Sequence, residues 1–187
     1  MMKNRKGFTL IEMLVVIGII VTLMGASIAG YSAMMGSAEE TKTRELVSNV
    51  ATALMAIYQR EGSWPKRLVE GASGENLLDE NAALPLAKKN YLSLAIEDGK
   101  LVGFDKFGVL SPQGVAIMKR KGSKVTKEEV KDYLLRYAID EDGDGITEHP
   151  DGLRIRATAC VWCDSPKKKS AGKKAKVESW TKGQVVQ

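Results

Sequence analysis

The chain has 187 residues, 44% hydrophobic and 27% charged, room for one long helix and one modest domain but not for two full cores. Its formal charge of +5 is concentrated at the ends: Lys3, Arg5 and Lys6 at the start, and seven lysines against Asp164 and Glu178 from residue 164 onward. The body between them is mildly acidic, which gives no general reason to expect nucleic acid, and the one histidine, His149, stands in an acidic loop with no nucleophile and base arrangement around it, so catalysis is not expected.

Residues Phe8 to Ala29 form an apolar run of 22 residues whose one ionisable side chain is Glu12. A helix needs about 20 apolar residues to cross a bilayer core, so residues 8–29 are read as a membrane anchor. Glu12 conflicts with a plain anchor, because an acid at a helix centre costs roughly 2.5 to 3.5 kcal/mol on insertion scales and calls for a partner. Cleavage after Gly7 would supply one. The new α-amine of Phe8 is a cation, one helical turn from Glu12 in its own subunit or facing the Glu12 of a neighbour. Two plainer readings stand beside this one. A secretory signal peptide cut before Gly30 would have an unusually long apolar region with an acid in it. A simple single-pass anchor would leave Glu12 without a partner.

The heptapeptide Lys6-Gly7-Phe8-Thr9-Leu10-Ile11-Glu12 resembles the leader and cleavage site of type IV prepilins and type II secretion pseudopilins. The resemblance implies removal of residues 1–7 by prepilin peptidase between Gly7 and Phe8, and N-methylation of Phe8. It also implies a role for Glu12 in guiding subunits into a helical homo-oligomeric filament. Implied partners are an inner-membrane assembly platform and minor pseudopilins. The implied location is the bacterial inner membrane, with one pass and a periplasmic C-terminal domain, and with the filament in the periplasm or at the surface.

Beyond the anchor, Gly25, Ala29, Ala33 and Ser37 recur every four positions and offer a close-packing helix face. From 39 to 61 the pattern is amphipathic, with Leu46, Val47, Val50, Leu54, Ile57 and Tyr58 at helical spacing. Gly62 and Pro65 end it. The spacing therefore predicts one helix over 8–62, about 80 Å long at 1.5 Å per residue. Lys66 to Lys89, with turn residues such as Gly71, Ser73, Gly74 and Asn76, reads as a connecting loop with one or two helical turns. Asp105-Lys106-Phe107-Gly108 resembles the acidic, any residue, aromatic, glycine signature of major pseudopilins, with Lys106 where that family usually has proline. Thr126 and Glu129 have the spacing of a capping box.

Tyr133–Ile139 and Leu153–Trp162 read as an antiparallel strand pair, the second alternating Leu153, Ile155, Ala157 and Ala159 with polar residues. The expected fold is therefore α+β: a long N-terminal transmembrane and filament helix packed on a small antiparallel sheet. Residues 63–163 form the small periplasmic domain, and 164–187 a Lys-rich tail that either docks as a last short strand or stays disordered. Cys160 and Cys163 favour a structural disulfide over free thiols in an oxidising compartment, provided that the chain turns at Val161-Trp162. Zinc lacks ligands, and a redox pair lacks its βαβ setting.

The loop 140–151 carries carboxylates Asp140, Asp142 and Asp144 at relative positions 1, 3 and 5, Gly145 at 6, the Ile146 carbonyl at 7, Glu148 at 9 and Asp151 at 12. Hard oxygens at this spacing suit Ca2+. Asp151 replaces the usual bidentate glutamate and the flanks are strands, so an EF-hand is not expected; major pseudopilins similarly hold calcium in a late loop. The leading function is a pseudopilus subunit that drives protein export. The alternatives are a type IV pilin for adhesion, motility or DNA uptake, in which the lysine tail would touch phosphates, and a membrane-tethered calcium-binding module that never polymerises.

Overall fold

The computed structural model describes residues 9–92, 96–97, 100–101, 106–168 and 174–186. The chain is an α+β protein that divides into two compact units, Met1–Ala38 and Glu39–Gln187. A single helix, α1, runs Leu10–Glu61. In the first unit its described large apolar side chains, Leu10 to Met24, are exposed, from Leu10 at 83% to Met13 at 44%. Among the described residues no helix is long and apolar enough to cross a membrane, although the apolar run of the sequence continues through Ala26, Ile28 and Ala29. Of the small-residue ladder, Gly25 has open space around it; the side chains of Ala29, Ala33 and Ser37 lie outside the described residues.

In the second unit Val47, Val50, Leu54 and Ile57 are fully buried, the i, i+3, i+7 spacing of one helical face. The helix stops where Gly62 takes φ +69° and donates its N–H to the Tyr58 carbonyl at 2.9 Å, a left-handed cap that glycine adopts at little cost. Two further helices follow, α2 (Lys66–Ala72) and α3 (Glu80–Lys88), where the sequence suggested mostly loop. Asp79 caps α3 by accepting from the N–H groups of Asn81 and Ala82, and Ala82, Ala83, Leu86 and Ala87 form its buried face. Gly71, a turn residue by composition, lies inside α2 because a Cβ there would collide with the Tyr137 hydroxyl. That hydroxyl donates to the Leu68 carbonyl at 2.6 Å.

A two-residue hairpin, β1 (Ile96–Glu97) with β2 (Lys100–Leu101), precedes helices α4 (Pro112–Lys121) and α5 (Lys127–Val130). The Thr126–Glu129 capping box is formed, the Thr126 N–H donating to Glu129 Oε2 at 3.2 Å. This region has its own small core of Leu77, Leu110, Met118, Val125, Val130 and Leu134.

The main sheet has the order β3-β6-β7, all antiparallel, from Arg136–Ile139, Ala159–Lys168 and Lys174–Glu178. A second antiparallel sheet, β4-β5-β8, joins Thr147–Glu148, Arg154–Ile155 and Val185–Val186. The expected second strand, Leu153–Trp162, is thus two strands in two sheets. The break falls at Arg156–Thr158, where the Ala157 N–H turns back to the Ile155 carbonyl at 2.9 Å and Arg156 donates to the Gln184 carbonyl. Leu153, expected inside, is 40% exposed.

The sheet is buried on both faces. Tyr137, Ile139, Val161 and Cys163 pack on the helices, while Ala138, Cys160 and Trp162 pack with Ile155 and Trp180. The expected domain boundary at 163/164 falls inside β6, and the described part of the tail pairs as β7 and β8. The expected disulfide does not form. Cys160 and Cys163 are buried and not bonded to one another, because β6 runs straight through Val161 and Trp162 and residues three apart then lie on opposite faces. Burial pushes the Cys160 thiol up to about 12.

Candidate functional site

Glu12 lies in the first turn of α1. Its Oε2 accepts from the Thr9 N–H and from the Thr9 hydroxyl, both at 2.8 Å, and the Glu12 N–H reaches Thr9 Oγ1 at 3.3 Å. This is a reciprocal capping arrangement. Sequence reasoning paired Glu12 with an amine and missed Thr9, although Thr9-Leu10-Ile11-Glu12 ahead of an apolar run is the spacing that marks such a cap. Gly7 and Phe8, the expected cleavage and methylation positions, lie outside the described residues.

The acidic loop is built by its own backbone. Asp140 is 4% exposed, and its two carboxylate oxygens accept from the N–H groups of Gly143 and Gly145, each at 2.8 Å. Gly143 and Gly145 have φ of +78° and +81°, the left-handed region that favours glycine. Asp142 Oδ1 accepts from the Asp144 N–H at 3.3 Å, and Asp144 Oδ1 from the Ile146 N–H at 2.7 Å. The indole N–H of Trp64 donates to the Asp140 carbonyl at 2.6 Å and ties the loop to the segment after α1.

These turns bring one carboxylate oxygen from each of Asp140, Asp142 and Asp144 within 4.8 Å of one another. The second half of the expected ligand set stands elsewhere. Glu148 is exposed on β4, with Oε1 4.0 Å from Arg154 Nε. Asp151 Oδ2 pairs with Lys176 Nζ at 2.5 Å, which holds its carboxyl below the usual range. Ile146 lines a cavity of about 270 Å³ with Asp142, Asp144, Glu148 and Arg154. Arg154 is the residue sequence reasoning overlooked; its guanidinium also lies 4.0 Å from Asp144 Oδ2. The three aspartates converge and fit a hard divalent cation as donors, whereas Glu148 and Asp151 stand outside that group.

His149 is buried against Trp162 and Trp180, with ring centroids at 4.2 and 5.5 Å. Its Nδ1 accepts from the Asp151 N–H at 3.1 Å, so in the neutral ring Nε2 carries the proton. Nε2 is buried and has no hydrogen-bond partner among the described residues. Burial lowers the His149 pKa, the Asp151 carboxylate opposes that and Lys176 adds to it. A histidine that resists protonation when folded stabilises fully above its unfolded pKa near 6.5, and that contribution is lost as pH falls below it and through the lower folded value. The melting temperature should therefore drop as pH falls below about 6.5, and the drop should be smaller in His149→Phe, as followed by tryptophan fluorescence.

The family described as "Prokaryotic N-terminal methylation motif" matches residues 2–28, the segment in which the sequence places the cleavage site and in which the structure places Glu12. The chain carries a prokaryotic N-terminal methylation motif. This motif is consistent with the type IV pilin-like and pseudopilin family and does not resolve its member. It implies processing by prepilin peptidase and pilus-type assembly, and it suggests a membrane-anchored subunit. Comparison with curated proteins and with solved structures found no match.

Proposed function

We propose that the chain is a structural subunit of a type II secretion pseudopilus, cleaved between Gly7 and Phe8, methylated on Phe8 and polymerised through α1 to drive protein export. The observation that carries this reading is the methylation motif over 2–28 leading into a helix whose apolar side chains from Leu10 to Met24 stand exposed. Exposed apolar surface of that extent is covered by lipid before assembly and by neighbouring helices after it. Residues 8–29 are the single inner-membrane pass and the unit from Glu39 onward is periplasmic. The assembly platform and minor pseudopilins are its partners, and no catalytic role is proposed.

Intact mass and N-terminal sequencing of membrane-extracted protein test the processing: the mature chain should begin with methylated Phe8. Deleting the gene should stop folded exoproteins from leaving the cell while surface fibres and twitching persist. The opposite pattern would make the subunit a type IV pilin.

Calcium in the 140–151 loop is part of this proposal, held by Asp140, Asp142 and Asp144 rather than by the full set read from sequence. The close approach of their carboxylates supports it. Calcium should raise the melting temperature of the purified protein, with about 2.7 kcal/mol of stabilisation at one hundred times the dissociation constant. The rise should vanish in the Asp142→Asn, Asp144→Asn double variant; an unchanged wild-type melting temperature in calcium and in chelator would rule the ion out.

A further inference from the structure

On the sheet face that carries Trp162 lies a cavity of about 110 Å³ whose walls include Glu75, Arg136, His149, Asp151, Trp162 and Lys176. None of the three clustered aspartates borders it. The pairing of β3 with β6 sets Arg136 directly opposite Trp162, and the His149 ring packs on the Trp162 ring at 4.2 Å.

Arg136 is the anomaly of this cavity. Arg44, Arg60, Arg67, Arg120, Arg154 and Arg156 are exposed, where water satisfies a guanidinium, whereas Arg136 alone of the described arginines is half-buried. Yet no hydrogen bond, ion pair or ring contact takes up its guanidinium among the described residues. A charge drawn partly out of water is costly unless it is paired and hydrogen-bonded. The acids nearby are already taken: Glu75 pairs with Lys131 Nζ at 2.6 Å and Asp151 with Lys176 Nζ at 2.5 Å. Arg136 acts on Asp151 only through space, adding a little to the lowering of its carboxyl. Two acids thus meet three cations, and the positive charge in surplus is that of Arg136. His149 does not offset it, since its Nδ1 already accepts from the Asp151 N–H and its remaining polar atom, Nε2, is a donor without a partner among the described residues.

A surplus guanidinium with no uncompensated acid beside it attracts an anion, and its planar fork matches two oxygens of a carboxylate or a phosphate. The cavity is well below the range of about 300 to 1,000 Å³ for pockets that take drug-sized ligands, which leaves room for one small group. We propose that it binds a single small oxyanion, with Arg136 as the anchor. The site depends neither on calcium in the acidic loop nor on filament assembly. A free inorganic anion and a carboxylate carried on a peptide share this chemistry, and two titrations distinguish them.

His149 is the one histidine of the chain, so its imidazole signals report on the cavity without overlap. Full-length protein labelled with 15N-histidine, calcium-free in detergent at about pH 8, above the usual histidine range, is titrated with inorganic phosphate and separately with acetate, chloride holding the ionic strength constant. A saturating shift of the His149 signals is expected in at least one titration: with phosphate it identifies a free inorganic anion as the ligand, with acetate a carboxylate. Arg136→Gln should abolish saturation, whereas the Asp142→Asn, Asp144→Asn double variant should bind as the wild type does. Arg136→Lys keeps the charge but not the fork and should bind about tenfold less tightly, the loss of one charge-assisted hydrogen bond; it decides the matter should Arg136→Gln fail to fold. Shifts that never saturate with either anion, or binding that is undiminished in the Arg136 variants, would overturn the inference and leave Arg136 a hydrated charge.

Discussion

Replacing Glu12 by leucine should leave leader removal intact and lower the yield of cross-linked filament at least tenfold. The replacement removes the one carboxylate of the apolar run 8–29, so membrane insertion itself should not become harder. The more informative variant is Glu12→Gln. In the structure the carboxylate already has two partners, the Thr9 N–H and hydroxyl, and a glutamine oxygen can accept from both. Were capping the whole purpose of Glu12, glutamine would assemble normally. Pairing with the Phe8 amine of a neighbour requires the charge, so glutamine should fail almost as completely as leucine. Immunoblots of oxidised Gly25→Cys membranes, with intact mass to confirm removal of residues 1–7, separate the two roles.

The largest loss of stability should come from Gly108→Ala. Gly108 has φ +125°, and a Cβ there would strike the Leu78 carbonyl oxygen and lie 2.5 Å from the Asp79 Cα. The obstacle is backbone on a second segment, and that segment is fixed. The Val109 N–H donates to the Leu78 carbonyl at 3.0 Å, the Leu78 N–H to the Leu135 carbonyl at 2.7 Å, and the Leu135 N–H to the Val109 carbonyl at 2.9 Å. None of the three segments can step aside without breaking this triangle. Backbone strain of about 1 to 3 kcal/mol and overpacking of about 1 to 3 kcal/mol together take a large share of a stability of about 5 to 15 kcal/mol. Gly122→Ala provides the contrast: φ is +64° and ψ −142°, a region essentially confined to glycine, but nothing lies within 4 Å, so only the backbone strain of about 1 to 3 kcal/mol applies, without overpacking. Guanidinium unfolding followed by tryptophan fluorescence measures both.

What could be read from sequence was what depends on near neighbours in the chain. The buried stripe Val47, Val50, Leu54 and Ile57, the stop at Gly62 and the capping box at Thr126 each follow from spacings of a few residues. What depended on distant partners was misread. Gly71 looked like a turn because nothing local says that Tyr137 needs its missing side chain. The Leu153–Trp162 segment alternated well enough for one half-buried strand, but the sheet it joins is covered on both faces, and the chain changes sheets at Arg156 to bury Ile155 and Trp162 together. In the acidic loop, spacing located Asp140, Asp142 and Asp144 correctly as a group. It could not show that Glu148 and Asp151 would be drawn off by Arg154 and by Lys176, a residue 25 positions away from Asp151. Gly108 is the instructive case, since a family signature marked it and only the Leu78–Asp79 backbone explains it.

The straight run of β6 through Cys160 and Cys163 has a consequence for quality control. In a native molecule the two sulfurs face different cores and cannot meet, and the buried Cys160 holds too little thiolate to react. In a chain whose β6 has not yet paired, nothing separates them, and an oxidising compartment would close a tight four-residue ring that the strand cannot accommodate. For this protein a disulfide between Cys160 and Cys163 would therefore mark a chain in which β6 had not paired.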